Sequence, residues 1–574
     1  MRRHLPVRIA VPRTSGRRTQ VWIRLWMVVP LLLAACIGPD QGGRPSGVEP
    51  DDASPPRLSG RRWFRQACKL PPRYLTLIER GHHEGRSPEL VVVPRKPNLF
   101  GSFEVTTHSG PWNYLQRVPL VFYGPPFVRS QGRPVAKREV TLADIAPTLA
   151  EVLGLEWPED RPGRALTDAV AASGDGARPR LIVVVVWDGG GWNVLREWPG
   201  SWPRLRELMR KGYSVPNATV GSSPSVTPAA HATIGTGAWP EQHGVVDLSF
   251  RDEGEVVGTF AEEHPDDLKL PTIADLWDRA TGNEAEVAFL AERNWHLGML
   301  GHGAFTRGGD RDIAAFGEAA GGDLYTNEEW YSLPSYLQDV PGLSGDVRTI
   351  DLEDGRVDST WLGHPLGEDS YRESPVQALY QTRQLEALIS QEGLGDDDVT
   401  DLLFVNYKQV DLLGHIYNMV TPEMRSILSW TDRSLAELID HLNAEVGRRR
   451  WMVVLTADHG QGPDPRTTGG WPIDIEELSD DAGAAFGLSR DELFDRTRIT
   501  GFWINPEATK DKGITLDQVA NFLIEYRLKD NADAYSGMTN RYAQRKNEPL
   551  LAAAFPSESL DEVQECAEHR RDRD

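Results

Sequence analysis

Positive charge is in short supply. The chain of 574 residues carries 62 Lys and Arg against 84 Asp and Glu, a formal charge of −22. That balance argues against a nucleic-acid backbone as partner, and it means that an anionic substrate must be attracted by something local. Long apolar runs are missing too. The strongest one near the front, "MVVPLLLAA" (27–35), has about ten residues, too few to span a bilayer but suited to the core of a signal peptide. No internal repeat is present, and cysteine is limited to Cys36, Cys68 and Cys566. With 40% hydrophobic and 25% charged residues the composition is that of a globular protein, and disorder as the main state is excluded.

What is there begins with a basic stretch, the short apolar run, and then Cys36. "LAAC" (33–36) resembles the bacterial lipobox, so residues 1–36 are expected to be a lipoprotein signal peptide with Cys36 lipidated; an ordinary signal peptide cut nearby is the alternative. Either way the expected location is outside the cytoplasm, at the cell surface or in the periplasm, with the membrane as partner through the lipid anchor. Residues 37–62, rich in Pro, Gly, Ser and Asp, read as a flexible tether. An oxidising compartment would permit a disulfide between the remaining cysteines, Cys68 and Cys566.

Five short β-branched runs are bounded by turn residues: 89–94, 118–124, 181–188, 401–407 and 451–458. Apolar on both faces, they read as strands buried in a parallel or mixed sheet. Helical patterns at 141–155, 421–447 and 515–528 separate them, which predicts an α/β fold with a central, mostly parallel sheet flanked by helices. Between about 305 and 372 the period dissolves, as expected of a cap or insertion over a site. "SGDG" (173–176) marks a joint between a front portion, 63–173, and a main portion, 180–570.

Three of these strands lead to acidic residues. "LIVVVVWDGGGW" ends on Asp188, "LLFVNYKQVDLLGH" reaches Asp411 and His415, and "WMVVLTADHGQG" ends on Asp458 and His459. Ligands of open α/β sheets bind outside the carboxyl ends of the strands, so these residues are expected to converge on a metal site. A lone Asp at a strand end is usually a turn residue; the set of three Asp and two His is not. "GGGW" lacks the G-x-G-x-x-G spacing of a dinucleotide loop. In "SVTPAAHATIGTGAWPEQHGV", Pro228 suits the first position of a helix and makes Thr227 its N-cap. A hydroxyl there, beside free N–H groups and a favourable dipole, is placed to attack a phosphoryl group once its proton is removed.

Together these stretches resemble the alkaline phosphatase superfamily, in particular its nucleotide pyrophosphatase/phosphodiesterase branch and the related threonine-nucleophile phosphatases. The resemblance implies two Zn²⁺ ions, other divalent metals being possible. One would be held by Asp188, Asp458, His459 and the Thr227 oxygen, the second by Asp411, His415 and one further histidine. The family places that histidine downstream of the "ADHG" segment, where this chain has only His569 in a charged tail. "TTHSGPWNYLQRVPLVFYGP", at the front, resembles the missing C-terminal portion. The implied explanation is a circular permutation, with His108 as the third ligand of the second metal. Cys68 and Cys566 would then be neighbours across the cut, and a disulfide between them is expected.

The activity so implied is hydrolysis of a small phosphate ester through a phosphothreonine intermediate. Leu248 stands where the family commonly has a phosphoryl-binding asparagine, with Asp247 before it. The monoesterase-like Lys-x-Arg pair is reduced to Arg293, with Ala291 in place of the lysine. This leans toward phosphodiesters or nucleotide pyrophosphates, with Arg293 as a substrate contact; the alternatives are a phosphomonoesterase or an inactive surface binding protein on the same fold. No C-x-P-x-R stretch exists, which disfavours a formylglycine sulfatase. His82 and His83 read as loop residues, His231 and His243 as structural, and His296, His302 and His364 as lining the cap side.

Overall fold

The computed structural model describes residues 59–101, 106–133, 138–171, 178–532 and 540–571. The expected signal peptide with Cys36 and most of the expected tether lie outside the described residues. Among the described residues no helix is long and apolar enough to cross a membrane.

The strands of the two larger sheets are, in chain order, β1 (Leu90–Pro94), β2 (Leu120–Tyr123), β3 (Leu181–Trp187), β4 (Tyr213–Ser214), β5 (Val287–Ala291) and β6 (Ile313–Gly317). They continue with β7 (Leu324–Tyr325), β8 (Asp401–Tyr407), β9 (Trp451–Thr456), β10 (Phe494–Arg498), β11 (Gly501–Ile504) and β12 (Leu551–Pro556). The central sheet has eight strands in the order β7-β6-β5-β8-β3-β9-β2-β4. The five from β6 to β9 in that order run parallel, and β7, β2 and β4 are antiparallel additions at its two sides. Eight helices frame the description: α1 (Arg62–Ala67), α2 (Ile145–Leu153), α3 (Thr227–Thr236), α4 (Ile273–Thr281), α5 (Pro375–Glu392), α6 (Gln409–Tyr417), α7 (Pro422–Leu442) and α8 (Leu560–Arg571).

Strand β3 shows why the apolar runs do not alternate. Leu181, Val183, Val185 and Trp187 point into one core with Leu385 of α5 and Leu435 of α7. Ile182, Val184 and Val186 point into the other, with Leu149 of α2, Ile234 of α3 and Trp277 of α4. Both faces are dry, so every position is apolar. Burying each such side chain contributes about 1.5–3 kcal/mol, which outweighs the ~1–2 kcal/mol cost of fixing its backbone. The covering helices carry their own boundaries: Ser374 accepts from the Val376 N–H and Pro375 opens α5, while Thr272 and Asp275 form a capping box at α4.

The smaller sheet, β10-β11-β1-β12, is antiparallel and gathers the two ends of the chain. Trp63 of α1, Val92 of β1, Phe555 of β12 and Val563 of α8 share one core. Cys68 and Cys566 form a disulfide here, Cα to Cα 5.6 Å, across 498 residues of sequence.

Several expectations need correction. The run 89–94 lies in the antiparallel sheet, because burial on both faces there produces the same apolar string as a parallel strand. The 118–124 strand is in the central sheet but antiparallel to β9. The segment 305–372 is not irregular throughout: β6 and β7 belong to the central sheet, and Leu343–Asp351 is helical. The helix over 141–155 starts as a 3₁₀ turn, Leu142–Asp144, before α2. The helices expected over 421–447 and 515–528 run from Pro422 to Leu442 and from Leu516 to Glu525.

Because the disulfide closes a loop of 498 residues, it acts mainly by restricting the unfolded chain. Replacing both cysteines by serine is expected to lower the unfolding free energy by about 2–5 kcal/mol in urea titrations, with the folded protein's activity at 25 °C unchanged. Equal stability of the two proteins would contradict this role.

Candidate active site

The carboxyl ends of β3, β8 and β9 bring the acidic residues together. Asp188 extends β3 by one residue, its N–H bonding the Tyr407 carbonyl at 3.0 Å. Asp411 and His415 lie four residues apart on α6, hence on one face. Asp458 and His459 follow β9 directly. Gly189 lets these loops approach: its φ is +69°, and a Cβ there would lie 2.8 Å from the Asp411 Cα. The "GGG" run is therefore a packing feature of this site.

His108 comes from the front of the chain and reaches the same place. Its Nε2 lies 3.5 Å from Asp411 Oδ1, and His415 Nε2 lies 3.4 Å from the same oxygen. The His108 ring stacks on that of His459 at 3.6 Å between centroids. The segment carrying it is anchored by Thr106 Oγ1, which donates to the Gly462 carbonyl, and by the Gly462 N–H, which donates to the Thr107 carbonyl.

The three imidazoles share one arrangement. Nδ1 faces a backbone carbonyl in each: Ser225 for His108 at 3.2 Å, Thr106 for His415 at 2.9 Å, Gly460 for His459 at 3.1 Å. A neutral ring donating through Nδ1 keeps its lone pair on Nε2. Those lone pairs point at carboxylate oxygens, since His459 Nε2 is 3.1 Å from Asp458 Oδ2 and 3.8 Å from Asp188 Oδ1. Asp458 Oδ2 and His459 Nε2 are buried and have no hydrogen-bond partner. Lone pair against carboxylate repels unless a proton or a cation lies between; in the metal-free site burial would lower His459, but Asp458, Asp411 and Asp188 hold it above the ordinary histidine value, and a metal in the same place would take over that role, with backbone carbonyls as the outer supports. Three overlapping groups have ligand atoms within 4.8 Å of one another: His108, Asp411, His415; Asp188, Asp411, His459; and Asp188, His231, His296. Nitrogen and carboxylate donors suit zinc.

Thr227 heads α3, with Val226 as N-cap, so the helix begins one residue earlier than expected and Thr227 is its first residue rather than its cap. Its Oγ1 accepts from the Lys408 ammonium at 3.4 Å. Lys408 also reaches Asp411 Oδ2 at 2.6 Å and Asp188 Oδ1 at 3.1 Å. Burial alone would raise both carboxyls, but Lys408 overrides it and holds Asp188 and Asp411 well below the usual carboxylate range. Burial alone would likewise lower Lys408, and the surrounding aspartates instead hold it above the ordinary lysine value. Burial pushes His108 well below the usual histidine value, as a neutral ligand requires. Three carboxylates against one ammonium leave two net negative charges in a dry site.

Sequence reading passed over Lys408, Asn406 and Gln461, placed His296 on the cap side, and gave His231 only a structural role. Asn406 donates to Asp188 Oδ2 and to His231 Nε2, both at 3.0 Å, while His231 Nδ1 donates to the Thr227 carbonyl at 2.8 Å. Burial keeps His231 low, at about 4, so it stays neutral and orients Asp188 and α3. Gln461 donates to Asp411 Oδ1 at 2.5 Å. His296, expected on the cap side, lies inside with Nε2 3.0 Å from Asp188 Oδ2. Lys408 and Asn406 have a signal in hindsight: they are polar residues at and just past the carboxyl end of a strand whose middle, Leu402–Val405, is apolar. Arg293 pairs with Glu292 and Glu318, each at 3.6 Å. Asp247 accepts from the Leu248 N–H at 2.6 Å and from the Thr500 hydroxyl at 3.4 Å.

A parallel sheet whose strand ends hold three aspartates, three histidines and a threonine at a helix start defines the alkaline phosphatase superfamily class. Within it, the chain belongs to the type I phosphodiesterase / nucleotide pyrophosphatase family, whose model matches residues 182–557. Alkaline phosphatase PafA of Elizabethkingia meningoseptica is 23% identical over 49% of this chain and 60% of its own length. Alkaline phosphatase PhoV of Synechococcus elongatus is 22% identical over 50% of this chain and 59% of its own. An uncharacterized pyrophosphatase/phosphodiesterase of Schizosaccharomyces pombe is 24% identical over 49% of this chain and 45% of its own. The chain thus spans about half of the length of these relatives. The crystal structure of wild-type PafA superposes with a TM-score of 0.52 at 19% identity, over 66% of this chain and 85% of that one, and so shows the same fold.

Lys408 is the counter-charge of the metal-free site. Lys408→Met is expected to cost the metal-free protein about 3–5 kcal/mol of stability, with saturating Zn²⁺ restoring part of it. Urea unfolding with and without the metal measures this, and an unchanged metal-free stability would contradict it.

Proposed function

We propose that the chain is an exported, metal-dependent phosphoric ester hydrolase acting on phosphodiesters or nucleotide pyrophosphates through a phosphothreonine intermediate. The observation that carries this reading is the buried cluster of three carboxylates and three aimed Nε2 lone pairs beside Thr227 Oγ1. Asp188, Asp458, His459 and the Thr227 oxygen would hold one zinc, and Asp411, His415 and His108 the second. Bound there, the ions supply positive charge to the phosphoryl oxygens and lower the pKa of a coordinated hydroxyl or water.

The chain's own groups do the rest. Thr227 Oγ attacks phosphorus and the bond to the departing ester oxygen breaks, the threonine proton passing through solvent to that oxygen; water then attacks phosphorus, the bond to Thr227 Oγ breaks, and one water proton returns the hydroxyl while the other goes to the phosphate or to solvent. The α3 dipole favours the phosphoryl anion, and the Lys408 ammonium donates to the attacking oxygen throughout. His231 fixes the Thr227 carbonyl, while Asn406 and His296 fix the Asp188 carboxylate.

The chain order reads as a circular permutation. In support, the family match leaves residues before 182 outside, yet β2 pairs with β9 and His108 abuts Asp411. A rearranged protein in which residues 178–571 precede residues 59–171 is expected to fold and keep its turnover; failure to bind metal after refolding would contradict the permutation. Anchoring through Cys36 at the cell surface or in the periplasm remains part of the proposal, supported by the leader sequence. A second reading, phosphomonoesterase, is favoured by the names of the PafA and PhoV relatives.

Zinc-loaded protein is expected to hydrolyse bis-p-nitrophenyl phosphate faster than p-nitrophenyl phosphate, and Thr227→Ala to lose at least about 10³-fold of that activity. His108→Ala is expected to lower bound zinc from two ions to one. A faster monoester rate selects the second reading, and a wild type inert toward both esters selects the binding-protein alternative.

A further inference from the structure

A second cluster of carboxylates shares no residue with the active site. Asp278 lies near the end of α4, and Asp310 and Asp312 lie two residues apart in the segment that enters β6. One ligand atom from each lies within 4.8 Å of the others. Asp278 is 4% exposed and Asp312 6%, whereas Asp310 opens to solvent. Asp278 Oδ1 and Asp312 Oδ2 are buried oxygens that accept no hydrogen bond. Among the described residues no Lys, Arg or His pairs with any of the three, and Arg307 and Arg311 of the same segment are exposed.

Two buried carboxylates side by side, with orphaned oxygens and no basic neighbour, are costly unless a proton held in the Asp278–Asp312 hydrogen bond or a bound cation neutralises them. We propose that Asp278, Asp310 and Asp312 bind one hard divalent cation, calcium, with water completing the shell on the Asp310 side. An all-oxygen donor set with one exposed ligand suits calcium, which accepts irregular geometry, better than zinc. Without the ion, burial and the neighbouring carboxylates push Asp278 up to about 7 and Asp312 well above the usual range, so the cation would replace protons held near neutral pH.

The position gives the site a purpose. The segment 302–312 is already fixed at its start, where the His302 N–H and Nδ1 meet the two oxygens of Asp275 in the first turn of α4, each at 2.8 Å. A cation at Asp278, Asp310 and Asp312 fixes its end to the last turn of the same helix. The residues just before it matter to the active site: His296 touches Asp188, and Gly298 packs so close to α3 that a Cβ would lie 2.7 Å from Ala232 Cβ. Calcium is therefore a clamp behind that wall and takes no part in turnover.

Calcium titrated into zinc-saturated full-length protein, with the catalytic ligands occupied, separates the two sites. Calorimetry is expected to give one Ca²⁺ per chain with a Kd on the order of 10⁻⁴ M, and Tm to rise by about 3 °C. Asp312→Asn should abolish the binding and the Tm rise. Asp310→Asn, a change at an exposed side chain that leaves the fold intact, should weaken binding at least tenfold, and calcium-free turnover should stay at the wild-type rate. Absence of calcium binding by the wild type, or wild-type affinity in Asp310→Asn, would overturn the proposal.

Discussion

The structure turns on an excess of buried negative charge. Asp188, Asp411 and Asp458 meet at the carboxyl end of the central sheet, and the histidines beside them present lone pairs. Each His108, His415 and His459 ring has its Nδ1 on a backbone carbonyl, which directs Nε2 toward a carboxylate. Such an arrangement holds together only around protons or cations. Lys408 supplies one, and the orphaned Asp458 Oδ2 and His459 Nε2 show where it does not reach. The same cations would answer the problem set by a net charge of −22, because a phosphate ester meets local positive charge on an acidic protein.

The scaffold exists to hold that cluster. Five parallel strands, dry on both faces, set the spacing of Asp188, Asp411 and Asp458, and Gly189 and Gly460, in the loops after β3 and β9, let those loops approach their neighbours closely. The smaller sheet does different work, locking α1 and α8 together and tying the chain ends by the disulfide. His108 is brought in by β2, whose place beside β9 depends on neither neighbour in sequence.

Legibility in the sequence followed physical locality. Asp188 and Asp458 were readable because a strand pointed at them, and Asp411 with His415 because they follow shortly after a third strand. His108 was readable only through resemblance, as nothing near it in sequence is chemical. Lys408, Asn406 and Gln461 escaped notice because their partners come from other strands: each is defined by pairing between β3, β8 and the loop after β9. His296 was misplaced for the same reason. The strand β6 was lost in a glycine-rich stretch, "GGDRDIAAFGEAAGG", where the apolar residues carry no detectable period. Strand β1 was recognised as a strand but assigned to the wrong sheet, since burial on two faces is indifferent to strand direction.

The central claim is that residues from opposite ends of the chain complete one two-metal site. Anomalous scattering at the zinc edge from crystals of the zinc-loaded protein tests it directly. The account predicts two peaks, one contacting Asp188, Asp458 and His459, the other contacting Asp411, His415 and His108 Nε2. A second peak without His108, or a single peak at the cluster, would contradict it.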